Sequence, residues 1–317
     1  MRPVLALLAV LALAGCGARA QSVAYPIEIT ARPVAADKHG VAVGALTYAR
    51  GFSLKARGTD SFGGLSGFDI EADGRFVAVS DAGDLVRGRI TPTGIEQATI
   101  ARLTDESGQA FQGKMSADAE GLTLTGDGGM TVSFEQTHRF LAYPAAGPPR
   151  RLSGLIGARV GPNAGFEALA AWRDPATGQE RLVVGAENGD AWSCGPEMGV
   201  CRQILVAERD NPGSGFRLTG LDALPDGRLI ALYRSASLFT GLRALIAVVT
   251  PGAERPVTEL ARLPGPIGVD NMESIAALPN PDGSVRLFVI SDDNFAGWQR
   301  TLLLMFDWKP TPVSSRP

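Results

Sequence analysis

Ten positions carry most of the chemistry this chain could perform, and they recur at two offsets. The first set is Ser66, Glu120, Glu167, Thr219 and Glu273, and the second is Asp81, Glu135, Glu187, Arg234 and Asp292. Seven of the ten are carboxylates and one is an arginine. Members of the first set open an apolar segment, as in Glu120-Gly121-Leu122-Thr123-Leu124, and members of the second close one, as in Val132-Ser133-Phe134-Glu135. An acid against an apolar run is not placed there by solvation alone. Carboxylates that converge raise one another's pKa unless a cation offsets their field. Ca²⁺ suits such a set best, because it is hard, seeks oxygen and accepts roughly six to eight ligands in irregular geometry, whereas Mg²⁺ demands a strict octahedron. Two His and three Cys leave little material for zinc. The expected cation ligands are Asp81, Glu120, Glu167, Glu187, Glu273 and Asp292. The alternative is that these acids pair with Arg234, Arg139 and backbone amides and serve only to hold the fold together.

The elements that must position these residues are read from a degenerate repeat. Each unit is an apolar strand, a turn rich in Asp and Gly, and a second apolar strand that stops at a polar residue. Asp73-Gly74, Asp127-Gly128, Asp226-Gly227 and Asp282-Gly283 mark four of the turns. Such pairs favour tight hairpins because both central residues need positive φ. Five units fill roughly residues 60–308 at a spacing of about 50, the period of a four-stranded propeller blade. The fold class is therefore all-β, a β-propeller. Gly44-Ala45-Leu46-Thr47-Tyr48 must pair with Leu302-Leu303-Leu304-Met305-Phe306 to close the ring, and counting that closure as a blade gives six. Closure leaves no open sheet edge. Matched positions of the innermost strands then form rings around a central channel.

Composition bounds the rest. With 45% hydrophobic residues, 20% charged residues and a net charge of −3, the chain is neither disordered nor collagen-like nor a polytopic membrane protein. It has no basic excess for nucleic acid. Met1-Arg2 followed by the apolar run Val4 to Ala14 reads as a signal peptide over residues 1–20. Leu13-Ala14-Gly15-Cys16 resembles the bacterial lipoprotein box, in which the Cys thiol is lipidated and becomes the new N-terminus. Ala18-Arg19-Ala20 offers the rival of ordinary secretion. Either route exports the chain, to the periplasm or to an outer-membrane anchor, and the lipid on Cys16 would be its one membrane attachment. Loss of residues 1–15 removes Arg2 and leaves 29 basic against 33 acidic side chains, a net charge of −4. Residues 22–308 are expected to form a single domain, monomeric, with a disordered tail at 309–317. In an oxidising compartment Cys194 and Cys201, flanking a Gly-Pro and Met-Gly turn, are expected to form a structural disulfide.

The motifs resemble those of the phytase-like, "esterase-like activity of phytase" family. They are Gly64-Leu65-Ser66-Gly67 with Val79-Ser80-Asp81, Asp118-Ala119-Glu120-Gly121-Leu122 with Phe134-Glu135, Gly165-Phe166-Glu167-Ala168-Leu169 with Ala186-Glu187, then Tyr233-Arg234 and Ser291-Asp292-Asp293-Asn294-Phe295. Their order covers about residues 40–308. The chain departs from the family pattern after Glu135, where Gln136-Thr137-His138-Arg139 stands in place of a small Tyr-Gly type turn. The resemblance implies an exported propeller that hydrolyses phosphate or other esters. On that reading Glu120 and Glu135 serve as ligand or general base, Arg234 stabilises charge on phosphoryl oxygens, and His138 protonates the leaving alkoxide. Arg139, Lys114 and Ser66 are the expected substrate contacts. The substrate would be a small-molecule ester or phosphoester. A net charge of −4 does not steer in a polyanion such as phytate. No Gly-x-Ser-x-Gly elbow is present, and only His39 and His138 could serve a Ser-His-Asp triad, which disfavours a serine esterase. Two other readings stay open: a lactonase-like calcium-dependent propeller hydrolase, and a non-catalytic envelope propeller that binds or scaffolds.

Overall fold

A computed structural model describes residues 22–136, 138–152, 165–264 and 267–311. The signal segment, Cys16 and residues 312–317 of the expected tail lie outside the described residues. Five antiparallel sheets make up the fold, each a propeller blade. Blade 1 runs outward from Leu65–Ile70 through Arg75–Ser80 and Asp84–Ile90 to Ile95–Arg102, with Tyr25–Pro26 on its rim. Blade 2 is Ala119–Leu124, Met130–Phe134, Arg139–Tyr143 and Arg150–Leu152. Blade 3 is Ala168–Arg173, Glu180–Gly185, Ala191–Cys194 and Cys201–Leu205. Blade 4 is Arg217–Ala223, Leu229–Ser237, Gly241–Val249 and Val257–Leu263. Blade 5 begins with Asn271–Pro279, Val285–Asp292 and Thr301–Trp308, and is completed by Leu46–Arg57 and Glu28–Pro33 from the other end of the chain.

The expected six blades are therefore corrected to five. The pairing of the two chain ends is present, with Tyr48 opposite Phe306 and Phe52 opposite Leu303. These strands do not found a blade of their own. They are the third and fourth strands of the sheet whose two inner strands come from the last repeat.

Packing explains why the strands read as they do. Phe76, Val77, Ala78, Val79 and Ser80 are all buried, because both faces of this strand are covered by neighbouring strands and blades. Five apolar clusters occupy the five interfaces between blades. The cluster between blades 1 and 2, for example, joins Val77, Val79 and Leu103 to Leu122, Val132 and Phe134. Fully burying one such side chain is worth about 1.5–3 kcal/mol, so each interface is a core in its own right. Inner strands pack on inner strands all the way round, from blade 1 to blade 5 and back. Cys194 and Cys201 lie opposite each other on adjacent strands of blade 3 and are joined by a disulfide.

Side chains on the inner strands also clasp the next blade. Asp69 Oδ2 accepts the Leu124 amide at 2.7 Å, Thr123 Oγ1 the Ala171 amide at 2.9 Å, and Asp222 Oδ2 the Ala277 amide at 2.6 Å. Burial pushes Asp69 up to about 6 against these hydrogen bonds. Burial, then the charge of Asp69, holds Asp222 well above the usual carboxylate range.

Candidate functional site

Strand register fixes which end of the channel carries the chemistry. Leu65 pairs with Ser80, Ala119 with Phe134, Ala168 with Gly185, Arg217 with Arg234 and Asn271 with Asp292. Each inner strand thus starts beside the point where its neighbour ends. Both repeat offsets meet at one mouth of the channel, and the Asp69, Thr123 and Asp222 clasps sit further along the same strands. Glycine sets the width there. A Cβ at Gly67 would fall 2.8 Å from the Glu120 carbonyl, and one at Gly121 would fall 2.9 Å from the Glu167 carbonyl. Only a residue without a side chain lets these backbones approach so closely.

At the centre, carboxylate oxygens of Asp118, Glu120 and Glu135 lie within 4.8 Å of one another. Asp118 is 2% exposed and its Oδ1 has no hydrogen bond, although Lys114 Nζ stands 3.3 Å away. Its Oδ2 accepts Gln136 Nε2 at 3.1 Å. Burial raises Glu120 well above the usual range, and the charges of Glu167, Asp118, Glu273 and Glu135 add to it. Glu167 is raised likewise by burial, then by Glu273, Glu187 and Glu135. Glu135, nearer the mouth, is raised by burial, then by Asp118 and Glu187, with Lys114 and Gln136 opposing. Its side chain and the Glu167 carboxylate flank Gly165, where a Cβ would overlap both.

On the far side, Glu273 is 8% exposed and pushed up to about 8, by burial first, with Arg234 opposing. Arg234 Nη1 donates to Asn271 Oδ1 at 2.7 Å and lies 3.4 Å from Glu273 Oε1, while Asn271 Nδ2 donates to Glu273 at 2.7 Å. Arg234 Nε is buried without a partner. Asp292 is pushed up to about 6, mainly by burial. Lys114 pairs with Asp81 and Asp118. Burial works against its charge, but the hydrogen bond and charge of Asp81, then Asp118, hold its pKa above the ordinary lysine value.

Several expected residues stand elsewhere or do other work. Arg139 is not offered to a substrate. It is 8% exposed, its guanidinium lies 4.2 Å from the Phe134 ring centre and 4.8 Å from that of Phe111, and it donates to the Ser116 carbonyl. Ser66 is buried and donates to the Gly64 carbonyl at 3.3 Å. Lys114 is engaged by Asp81 and Asp118. Glu187 lies 3.3 Å from Arg217. His138 is exposed in the turn after Glu135, edge-on to Phe166 with ring centres 5.9 Å apart. Sequence reasoning missed Asp118 and Asn271 as site residues. The acid two places before Glu120 was visible, but only burial distinguishes it from a solvated one.

The site is braced by one further glycine. Gly64 has φ of 58°, and a Cβ there would overlap both Asp81 Oδ1 and the Phe295 ring. Gly64→Ala is expected to cost about 2 kcal/mol or more, from the left-handed backbone and the overlap together. Urea unfolding would show this as a lower midpoint at unchanged slope, and an unchanged midpoint would contradict it.

Similarity to known proteins was found at two levels. The family model described as "Phytase-like: Esterase-like activity of phytase" matches residues 60–295. No curated protein matches the chain. Among solved structures, a virginiamycin B lyase of Staphylococcus aureus is 13% identical with a TM-score of 0.42, covering 85% of this chain and 83% of the other. A gluconolactonase of Xanthomonas campestris is 14% identical with a TM-score of 0.43, covering 89% and 99%.

Proposed function

The chain belongs to the phytase-like family, matched over residues 60–295, and from that premise we propose that it is an exported, cation-dependent ester hydrolase that cleaves phosphoesters at the acid-lined mouth of its channel. The observation that carries the proposal is the close gathering of Asp118, which is buried, with the half-buried Glu120 and Glu135, where Lys114 is the cation that pairs with Asp118. Converging carboxylates are costly unless they are protonated or matched by positive charge. The donor set is all oxygen, which fits Ca²⁺ and is poor for zinc. Asp118, Glu120 and Glu135 would hold the ion, with Glu167, Glu273, Asp81, Asp292 and Glu187 lending negative field around them. When bound, such an ion offsets the phosphate charge and acts as a Lewis acid on a phosphoryl oxygen.

The protein's own groups supply the rest. Arg234 is held by Asn271 and Glu273 through Nη1, and its side chain, 24% exposed, would offer its positive charge to a phosphoryl oxygen. Glu135, whose carboxyl burial holds above the ordinary range, would accept the proton of the attacking water. As water adds to phosphorus, the bond to the ester oxygen breaks. His138 returns a proton to that leaving oxygen from the mouth. Export, and lipidation at Cys16, remain part of this proposal.

The test is a hydrolysis screen over phosphomonoesters, phosphodiesters and lactones, run with Ca²⁺ and with EDTA, on the protein and on Glu120→Gln. We expect phosphoester turnover that needs the cation and falls roughly a hundredfold or more in the variant. Turnover indifferent to both EDTA and Glu120→Gln would sink the site. Turnover of lactones alone would move the protein to the lactonase-like reading, and none at all would favour a binding propeller.

A further inference from the structure

Five of the eight large apolar side chains that stand exposed among the described residues are on the mouth face: Met115, Leu238, Phe239, Phe295 and Trp298. They lie in segments that lead into an inner strand or link a second strand to a third, the end at which the acids gather. One of them stands beside the acid ring. The position where a Gly64 Cβ would sit is in overlap with both Asp81 Oδ1 and the Phe295 ring, so the aromatic ring and a ring carboxylate face each other across a single glycine.

Phe295 is held there at a cost. Asn294 and Phe295 have φ of 47° and 50°, consecutive left-handed residues of which the bulky Phe is a genuine outlier. Asp292 and its neighbour Asp293 secure this backbone. Asp292 Oδ1 accepts the Asn294 amide at 2.6 Å, and Asp293 Oδ1 accepts the amides of Phe295 at 3.1 Å and Gly64 at 3.0 Å. Asp293 Oδ2 accepts the Thr301 hydroxyl at 2.9 Å. The result is a flat aromatic surface, 47% exposed, fixed at the edge of the carboxylate ring, with Trp298 80% exposed three residues further along the same loop.

We propose that Phe295 is a stacking platform that selects phosphoesters bearing an aromatic ring on the ester oxygen. The proposal rests on the reading that the phosphoryl group sits in the acid ring beside Arg234. Phe295 meets the ring at Asp81, so the ester group would point from the phosphoryl toward that side of the mouth. A rigid flat ring favours a flat partner. Offset stacking adds to what the buried area gives, whereas a flexible alkyl chain gains from area alone.

The experiment uses two non-hydrolysable probes, phenylphosphonate and methylphosphonate, titrated calorimetrically into the calcium-loaded protein and into Phe295→Leu and Phe295→Tyr. The protein is expected to bind the phenyl probe about tenfold tighter than the methyl one. Phe295→Tyr keeps that ratio, and Phe295→Leu, which keeps apolar bulk without the flat face, reduces it to about twofold. A ratio near one in the unaltered protein, or a tenfold ratio that survives Phe295→Leu, overturns the platform while leaving the anion site standing. If neither probe binds, the anion site itself is wrong and the platform falls with it. If the tenfold ratio survives Phe295→Leu while binding to phospholipid vesicles is lost, the aromatic edge is a membrane contact and the proposal is overturned.

Discussion

Held in EDTA, the protein is expected to lose stability as the pH rises from about 4 to about 8. Glu273 has its pKa raised from the ordinary 4.5 to about 8, and Asp292 from 3.8 to about 6. Glu120 and Glu167 are raised further by burial and by one another. In each case the folded state holds a proton that the unfolded chain has released. Stability is therefore whole below the unfolded pKa and drains away as the pH climbs through the folded one. One pKa unit corresponds to about 1.4 kcal/mol, so Glu273 alone represents on the order of 3 kcal/mol at pH 7. At about 2 °C or more per kcal/mol for a domain this large, calorimetry in EDTA should show a drop of about 5 °C or more between pH 5 and pH 8. Asp69 and Asp222 act with the same sign elsewhere in the channel, so Glu273→Gln is the control that isolates the ring: the drop should shrink in that variant. Added Ca²⁺ should restore stability most at the high end of the range, because it binds the ionised acids. A flat profile in EDTA would mean that these carboxylates are solvated, and the cation site would lose its basis.

The second large effect is expected at Arg234. Arg234→Ala leaves Glu273 buried at 8% exposure with Asn271 as its remaining close partner. Above about pH 8, where Glu273 ionises, removing Arg234 strands its charge and should cost about 3 kcal/mol or more, whereas below that pH the protonated acid loses less. The same change removes the guanidinium charge and should reduce phosphoester turnover by roughly a hundred- to a thousandfold. The double variant Arg234→Ala/Glu273→Gln separates the two roles. Its amide needs no counter-charge, so much of the lost stability should return, while turnover stays low. If the single variant is as stable and as active as the parent, Arg234 is neither the partner of Glu273 nor a phosphoryl contact.

The blade architecture was legible in the sequence because it is written in local chemistry. Asp-Gly turns and continuous apolar runs mark hairpins of sheets covered on both faces, and their recurrence gives the period. The number of blades was not legible in the same way. Leu46–Arg57 and Thr301–Trp308 declare themselves as strands, but nothing in either says whether the sheet they share already has its inner pair. Among the site residues, those on the two repeat offsets could be found by spacing alone. What spacing cannot supply is direction. Arg139 follows His138 at the mouth in sequence, yet its guanidinium lies against Phe111 and Phe134. Lys114 reads as a free surface cation until Asp81 is brought across from the neighbouring blade. Phe295 needs a left-handed backbone to meet Gly64, and no residue type announces that conformation for a phenylalanine.

The closing seam of blade 5 also bears on how the molecule comes into being. Leu46–Arg57 waits for a partner some 250 residues later in the chain. Contacts that distant are slow to form, since a long stretch of polymer must be ordered before they repay it. Until Thr301–Trp308 arrives, a twelve-residue strand has no partner on that side, and the interface between blades 5 and 1 lacks Leu303 and Met305. A chain cut short before Thr301 would thus be a sticky open arc, prone to pair with another copy of itself. Assembly is completed last at the place where the two ends meet, and the acids of the mouth gather into a full circle only at that moment.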